Sequence, residues 1–151
     1  MTSLASARLS GAHAAVAAPG RAIVPPGFSN PRLRLVAFRE RQIVLFDLRG
    51  VRDEMEAVAL IEGPYRRFMD AQRAGAGLLT LVETRETPHS AKAAAAFRDF
   101  AHRNTPFVKA AAVVADRPMH RLAVTTIAMF TKRIIKAFAD DVTAMEWLVE
   151  Q

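Results

Sequence analysis

Short apolar runs alternate with longer segments of helical periodicity along this chain, and this alternation limits the folds that it can adopt. Four runs, residues 43–48, 78–82, 108–115 and 134–138, are almost continuously apolar, which is typical of strands covered on both faces. Residues 33–39 alternate apolar and polar side chains just before the first of these runs, so the two predict a hairpin.

The segments between the runs begin with residues that cap helices. The predicted starts are Asp53, the stretch Thr87 to Ser90, Asp116 with Pro118, and Asp140 or Asp141. Met55 is expected on the buried stripe of the first helix, which the pair Gly63-Pro64 is expected to kink or split. Asn104 is expected to end the second helix in a left-handed conformation. The order is then β-β-α-β-α-β-α-β-α. It predicts an α/β sandwich whose sheet is mainly parallel, with only the first strand antiparallel and helices on both faces.

Residues 1–31 differ in composition from the rest of the chain. This stretch is rich in alanine, carries four of the eight prolines and has few large apolar residues, so we expect a disordered arm followed by one domain over residues 32–151. The alanine-rich residues 12–18 are interrupted by His13 and lack leucine and isoleucine. They therefore do not favour a secretory signal.

Composition excludes several classes of protein. The chain has no cysteine, which removes thiol nucleophiles, disulfides and thiolate-held metals and fits a reducing cytoplasm. The sequence contains no window of 18 or more apolar residues, so we expect no membrane span. The expected location is the cytoplasm.

The net charge of +6 is unevenly distributed. Five arginines and no acid occur in residues 1–39, which leaves the rest of the chain nearly neutral. Within that rest, residues 109–136 hold six basic residues against Asp116 alone, whereas residues 137–151 hold four acids and no base. This predicts a local basic face for an acidic partner or an anionic lipid, formed by Lys109, Arg117, Arg121, Lys132 and Arg133. Aromatic residues that would stack bases are nearly missing there, so nucleic acid is not a predicted partner.

Several stretches resemble the SpoIIAA-like, or STAS-like, family of small bacterial proteins. They are Phe46-Asp47-Leu48-Arg49-Gly50, Leu78 to Val82, Phe97 to Ala101, Asn104 to Ala110 and Ala144 to Val149. The resemblance covers residues 33–151 and implies a STAS-type α/β sandwich, related in architecture to CRAL-TRIO lipid-binding domains. None of these stretches is a catalytic signature.

The resemblance implies a regulatory module that acts by binding a protein. In the anti-anti-sigma factors of this family, a serine in an Asp-Ser-Gly motif at the start of the second helix is the phosphorylation switch. The matching loop here has no such motif, and offers Thr84, Arg85, Thr87 and Ser90 instead. Either these residues form a phosphoswitch that faces a partner, or Thr87 or Ser90 simply caps the helix.

Catalytic and cofactor-binding patterns are missing from the sequence. The glycine pair Gly75-Ala76-Gly77 precedes a strand rather than a helix, so it is a turn and not a phosphate loop. The histidines have no metal-ligand spacing, and no G-x-S-x-G motif occurs. We therefore expect no enzyme activity, metal or cofactor. Asp47, Glu83 and Asp116 lie near strand ends, where a solvated or capping role is the simpler interpretation.

The predicted helix that follows Pro118 is apolar around more of its circumference than one packed face needs. Its excess apolar residues would line an apolar pocket or a dimer interface. Phe130 of this helix and Phe138 of the apolar run that follows it are expected in the core. The leading hypothesis is thus protein binding. The alternative is a small apolar ligand, such as a lipid, held between this helix and the sheet.

Overall fold

The computed structural model describes residues 18–88 and 90–151, which form one five-stranded sheet with helices against it. The strands are β1 (Leu33–Phe38), β2 (Arg41–Asp47), β3 (Leu78–Glu83), β4 (Val108–Val114) and β5 (Ile135–Phe138). Their order in the sheet is the order of the chain, with β1 antiparallel to β2 and every other pair parallel. The predicted mixed sheet with an antiparallel first strand is therefore confirmed.

The helices follow the predicted element order. They are α1 (Glu54–Leu60), α2 (Arg66–Asp70), α3 (Ala91–Arg103), α4 (Pro118–Thr131) and α5 (Asp141–Val149). Three begin at a side-chain cap, because Asp53, Ser90 and Asp140 accept hydrogen bonds from the backbone N–H groups of Glu56, Ala93 and Thr143. Each cap satisfies an N–H group that the first helical turn leaves without a partner.

The expected break at Gly63-Pro64 takes a different form in the structure. Residues Ile61–Tyr65 form a π-helical turn that joins α1 directly to α2. Proline has no N–H to donate, and a single wider turn is a common way for a helix to accommodate such a residue without ending. Ile61 and Tyr65 consequently stay on the buried side.

Two apolar layers cover the two faces of the sheet. Side chains from α1 to α4 pack on one face, together with Val44, Phe46 and Val113. Among the helices that the structure describes, α5 alone covers the other face, where Ala144 and Leu148 pack against the remaining apolar strand residues. The helices are unequally divided because each crossover from β2 to β5 moves to the next strand in the same direction. Right-handed crossovers of that kind place their helices on one side.

Three local expectations were wrong. Asn104 ends α3 in a right-handed conformation with φ of −80°, and the left-handed residue is instead Lys132 after α4, with φ of 56°. Met55, placed on the buried stripe of the first helix, is exposed. Phe130, expected in the core, is 74% exposed, whereas Phe138 is half-buried against the α5 layer.

The described part of the N-terminal arm lies on the domain. The backbone N–H of Ile23 donates to the side chain of the buried Gln72, whose amide donates back to the Ile23 carbonyl, both at 2.8 Å. The Phe28 ring contacts that of Phe68 in a tilted arrangement, with the ring centres 5.2 Å apart. The sequence interpretation missed this packing because two hydrogen bonds and one ring are invisible to composition. The residues considered as a signal sequence lie, up to residue 17, outside the described part.

Candidate functional site

The loop predicted to face a partner is described at residues 83–88 and Ser90, which lie at the carboxyl edge of the parallel strands. Its hydroxyl groups are held within the domain. The Thr84 Oγ1 donates to the Val114 carbonyl at 2.7 Å, and the Thr87 Oγ1 donates to the Leu48 carbonyl at 2.9 Å. The Ser90 Oγ accepts from the Ala93 N–H at 2.9 Å. These bonds tie the loop to the ends of neighbouring strands and to the start of α3, as the capping alternative predicts for Ser90.

Arg85, the fourth predicted loop residue, belongs to a repeated pairing at the same edge. Its guanidinium and backbone N–H bind the carboxylate of Glu83, with the closest side-chain contact at 2.7 Å. Asp47, the register neighbour of Glu83 on β2, accepts in the same way from the backbone N–H and side chain of Arg49. Both carboxylates are buried. Each strand end is therefore closed by an acid paired with the arginine two residues later.

Electrostatics at this edge is dominated by these pairs. Burial by itself would raise the pKa of Asp47, but hydrogen bonds from the Arg49 backbone and side chain, with the charges of Arg49 and Arg34, hold that pKa below its usual range. The hydrogen bond to Glu83 raises the pKa of Arg85, and the nearby Asp141 of α5 adds to the effect. The cluster is a set of satisfied ion pairs that seals the edge of the α5 face.

The predicted basic residues do not form one face. Arg117 and Arg121 lie at the start of α4, at the carboxyl edge, whereas Lys132 and Arg133 follow its end. A helix of 14 residues is about 20 Å long. Lys109, at the start of β4, is exposed at the same end of the sheet as Lys132 and Arg133. The basic stretch is thus split between two ends of the domain.

Two of these basic side chains support the backbone. Arg121 donates to the carbonyl of Ala115 at 2.9 Å, and Arg133 donates to that of Ala101. Burial lowers the pKa of the Arg133 guanidinium. Arg117 and Lys132 are exposed, one at each end of α4. Only these two, of the four charges that flank the helix, are placed to meet a partner.

The outer surface of α4 is the most unusual part of the described chain. Met119, Leu122, Met129 and Phe130 are between 62% and 75% exposed. Their positions at 100° per residue fall on one side of the helix, with Thr126 between them, and no charged residue lies on that side. We call these four residues the apolar stripe. Large apolar side chains gathered on one exposed surface are typical of an interaction site.

A groove runs beside the apolar stripe, between α3 and α4. It has a volume of about 480 Å³, and Ala91, Ala94 and Ala95 of α3 form its opposite wall. The guanidinium of Arg98 lies 5.9 Å from the centre of the Phe130 ring, at one end. Because alanine side chains are small, α3 leaves the groove open at this side. Side chains of a binding partner can therefore enter between the two helices.

A smaller cavity lies beneath the groove, at the carboxyl edge. It has a volume of about 90 Å³ and is lined almost entirely by apolar groups of α3, α4 and the core, together with Thr84, Thr87 and Ser90. Ala94, Ala123 and Ile127 line both the cavity and the groove. The cavity occupies the place that the apolar-ligand alternative assigned to a ligand, between this helix and the sheet.

The sequence indicates that α4 is apolar around more of its circumference than one packed face needs, but it does not indicate which of these residues are exposed. The helix offers apolar residues in nearly every direction, and the position of α3 decides which of them become covered. The alanine-rich first half of α3 is the available signal, because small side chains leave a neighbouring helix uncovered. Within the described residues no group of three or more acidic or histidine side chains is arranged to hold a metal ion. No helix of that part is long and apolar enough to cross a membrane.

Comparison with solved structures identifies the fold. The chain is similar to the crystal structure of an uncharacterized protein of the DUF3478 family from Shewanella loihica PV-4, described as having a SpoIIAA-like fold. The TM-score is 0.60 at 15% sequence identity, over 77% of this chain and 91% of the other. No family model and no curated protein matches the sequence.

This chain therefore has a SpoIIAA-like fold, and the STAS-like resemblance in its sequence is confirmed at that level. The relationship to CRAL-TRIO domains finds no support in the comparison. A likeness at this identity concerns the arrangement of the elements. What the chain does has to be argued from its own surface.

Proposed function

We propose that this chain is a non-enzymatic interaction module that binds a protein through the outer face of α3 and α4. The observation that carries the proposal is the apolar stripe beside a groove of about 480 Å³. A helix or strand of a partner that lies in such a groove removes large apolar side chains from water, which is the main favourable contribution in most protein association.

The placement of the polar groups supports binding more than catalysis. The buried acids of the carboxyl edge are engaged by arginines, and the loop hydroxyls by carbonyl and N–H groups. General acid–base work needs a group within reach of a substrate proton and matched to the working pH. Asp47, whose pKa is lowered by its arginine partners, is poorly suited to take up a proton near neutral pH. The lack of cysteine fits action in the cytoplasm.

Site-specific photo-crosslinking in the cells that produce the chain tests the proposal. A photoreactive amino acid replaces Met129, within the apolar stripe, or Met55, which is equally exposed on α1 outside it. We expect a discrete protein adduct from position 129 and none from position 55. Adducts of equal yield from both positions, or from neither, would contradict binding at this face.

A second candidate function rests on the cavity beneath the groove. Its apolar lining favours a small apolar ligand, as the alternative hypothesis held. Its volume of about 90 Å³ is smaller than the ~150 Å³ of a cavity that takes benzene. The cavity therefore suits a short alkyl group and not a lipid chain. Lipid mass that stays with the native protein and is lost on denaturation would require the cavity to open and would favour this second function.

A further inference from the structure

We infer that the protein bound at this face is a second copy of the chain, with the two α4 helices packed antiparallel across a two-fold axis near Thr126. This inference rests on the proposed function and names the partner. It is carried by the arrangement of the apolar stripe, which is complementary to itself. A two-fold interface requires that residue i meets residue j of the other subunit and the reverse.

The angular positions within the apolar stripe satisfy that requirement. Met119 and Phe130 are eleven residues apart, so they project within about 20° of each other at 100° per residue. Leu122 and Met129 are seven residues apart and also agree within about 20°. The two pairs lie on opposite sides of the line through Thr126. An antiparallel two-fold keeps each pair on its own side of the interface.

The positions along the helix axis agree as well. Each pair is centred close to Thr125 and Thr126, so Met119 faces Phe130 of the partner subunit and Leu122 faces the partner subunit's Met129. Both matches hold to about 1.5 Å, the rise of one residue. Thr126 lies nearest the axis and faces its own copy. Large apolar residues thus oppose each other along the helix, and the short threonine allows a close approach where the helices cross.

The size of the patch fits a dimer. Four large side chains, each more than three-fifths exposed, form an apolar surface on the order of 500 Å². With the groove walls of α3, the area buried by two copies comes close to the lower limit of about 1,200 Å² for a stable interface. The alanines of the groove provide space for side chains of the partner subunit.

Charge distinguishes a second copy from other occupants. Each of two associating copies carries a net charge of +6, so like charge opposes formation of the dimer. Salt screens this repulsion and should strengthen the dimer. An anionic membrane or an acidic protein would instead be attracted by the same positive charge, and salt would weaken its binding.

Sedimentation of the full chain over a wide range of concentration tests the inference. We expect a species of twice the 16.6 kDa mass of the chain, with tighter association in high salt than in low salt. Met129→Ser should raise the dissociation constant by about tenfold or more, whereas the matched variant Met55→Ser should leave it unchanged. A chain that stays monomeric at all concentrations and salts, or a dimer indifferent to Met129→Ser, overturns the inference.

A cysteine placed at the axis tests the antiparallel geometry. Because the chain has no cysteine, Thr126→Cys introduces its single thiol. We expect rapid formation of a disulfide-linked dimer on mild oxidation. The matched variant Thr125→Cys is exposed but projects about 100° around α4 from Thr126, so it should link slowly. Equal rates for the two variants would overturn the two-fold axis near Thr126.

The crosslinking experiment separates failure of this inference from failure of the proposed function. A photo-adduct from position 129 that contains two copies of this chain supports both. An adduct with a different protein, together with a monomer in sedimentation, overturns the second copy and leaves the interaction module standing. Tight, salt-sensitive binding of the monomer to vesicles of phosphatidylglycerol, with no protein adduct, overturns both.

Discussion

The two faces of the sheet are covered by helices in opposite ways. On the α5 face, Ala110 and Ala112 of β4 are small enough for the helix to lie close, and Ala144 and Leu148 are fully buried there. The edge of that face is sealed by the Asp47 and Glu83 ion pairs. On the other face α4 buries Val124 and Ile127 but leaves the apolar stripe in solvent.

The difference separates residues that maintain the fold from residues available for function. Arg85, which the sequence suggested as a contact for a partner, forms ion pairs with Glu83 and Asp141 on the α5 face. The exposed apolar stripe lies on the opposite side of the sheet. A buried charge pair often adds little net stability, because the cost of desolvation offsets the attraction, whereas exposed apolar surface favours association. Four predictions test this difference between the two faces, in order of decreasing effect.

The largest effect is expected for a leucine on the sealed face. Leu148→Ala should lower the free energy of unfolding by about 3 kcal/mol, because it leaves a cavity among fully buried neighbours. Leu122→Ala, on the apolar stripe, should change it by less than about 0.5 kcal/mol. Urea denaturation in the Met129→Ser background measures both without a contribution from self-association. Similar losses for the two variants would mean that the faces do not differ.

The next effect concerns Asp47 and its dependence on pH. Because the pKa of Asp47 is lowered in the folded chain, its charge stabilises the fold at pH values above the normal carboxyl range. That stability is lost as pH falls through the folded pKa. Asp47→Asn should therefore cost about 1.5 kcal/mol at neutral pH and much less in acid.

Thermal unfolding as a function of pH provides the measurement. The control is Asp116→Asn, which changes an exposed carboxylate beside α4 and should leave stability within about 0.5 kcal/mol of the wild type. A constant difference between Asp47→Asn and the wild type at all pH values would show that the carboxylate charge does not hold the edge of the α5 face.

The contrast also explains which features could be predicted from the sequence. Apolar runs, capping residues and the turn glycines act locally, so the element order and the antiparallel first strand follow from them. The exposure of Phe130, in contrast, depends on what packs against the helix. No local pattern records that.

The candidate site divides along the same line. Ser90 was predictable as a cap because its partner lies three residues away. The hydrogen-bond acceptors of Thr84 and Thr87 lie 30 and 39 residues away in the chain. From the sequence alone, these residues were therefore only hydroxyl groups in a loop, with no visible partner. The basic stretch looked continuous because its residues are close in sequence, yet the length of α4 separates them in space.

Ser90 allows a test of the switch hypothesis, with a smaller effect on stability. Ser90→Ala should cost about 1 kcal/mol, because the N–H of Ala93 loses its cap. Ser90→Asp keeps an acceptor and adds a negative charge at the start of α3, so it should be at least as stable as the wild type.

The crosslinking yield from position 129 then distinguishes a cap from a switch. If Ser90 only caps the helix, both variants should crosslink as the wild type does. If the crosslinking yield is lost in Ser90→Asp and kept in Ser90→Ala, negative charge at this position controls binding. The predicted loop would then regulate the apolar stripe.

The smallest effect is expected from filling the cavity. Ala93 lines the cavity but not the groove, so Ala93→Leu should stabilise the fold by about 0.5 kcal/mol and leave the apolar stripe unchanged. Xenon is a suitable probe, because apolar cavities that stay dry bind it. The control is Ala59→Leu, at an exposed position of α1 outside the cavity lining. Xenon-induced chemical shifts should map to the cavity in the wild type and in Ala59→Leu, and should disappear in Ala93→Leu. A wild type that takes no xenon would remove the ligand-binding candidate, and the functional difference between the two faces would then rest on the apolar stripe alone.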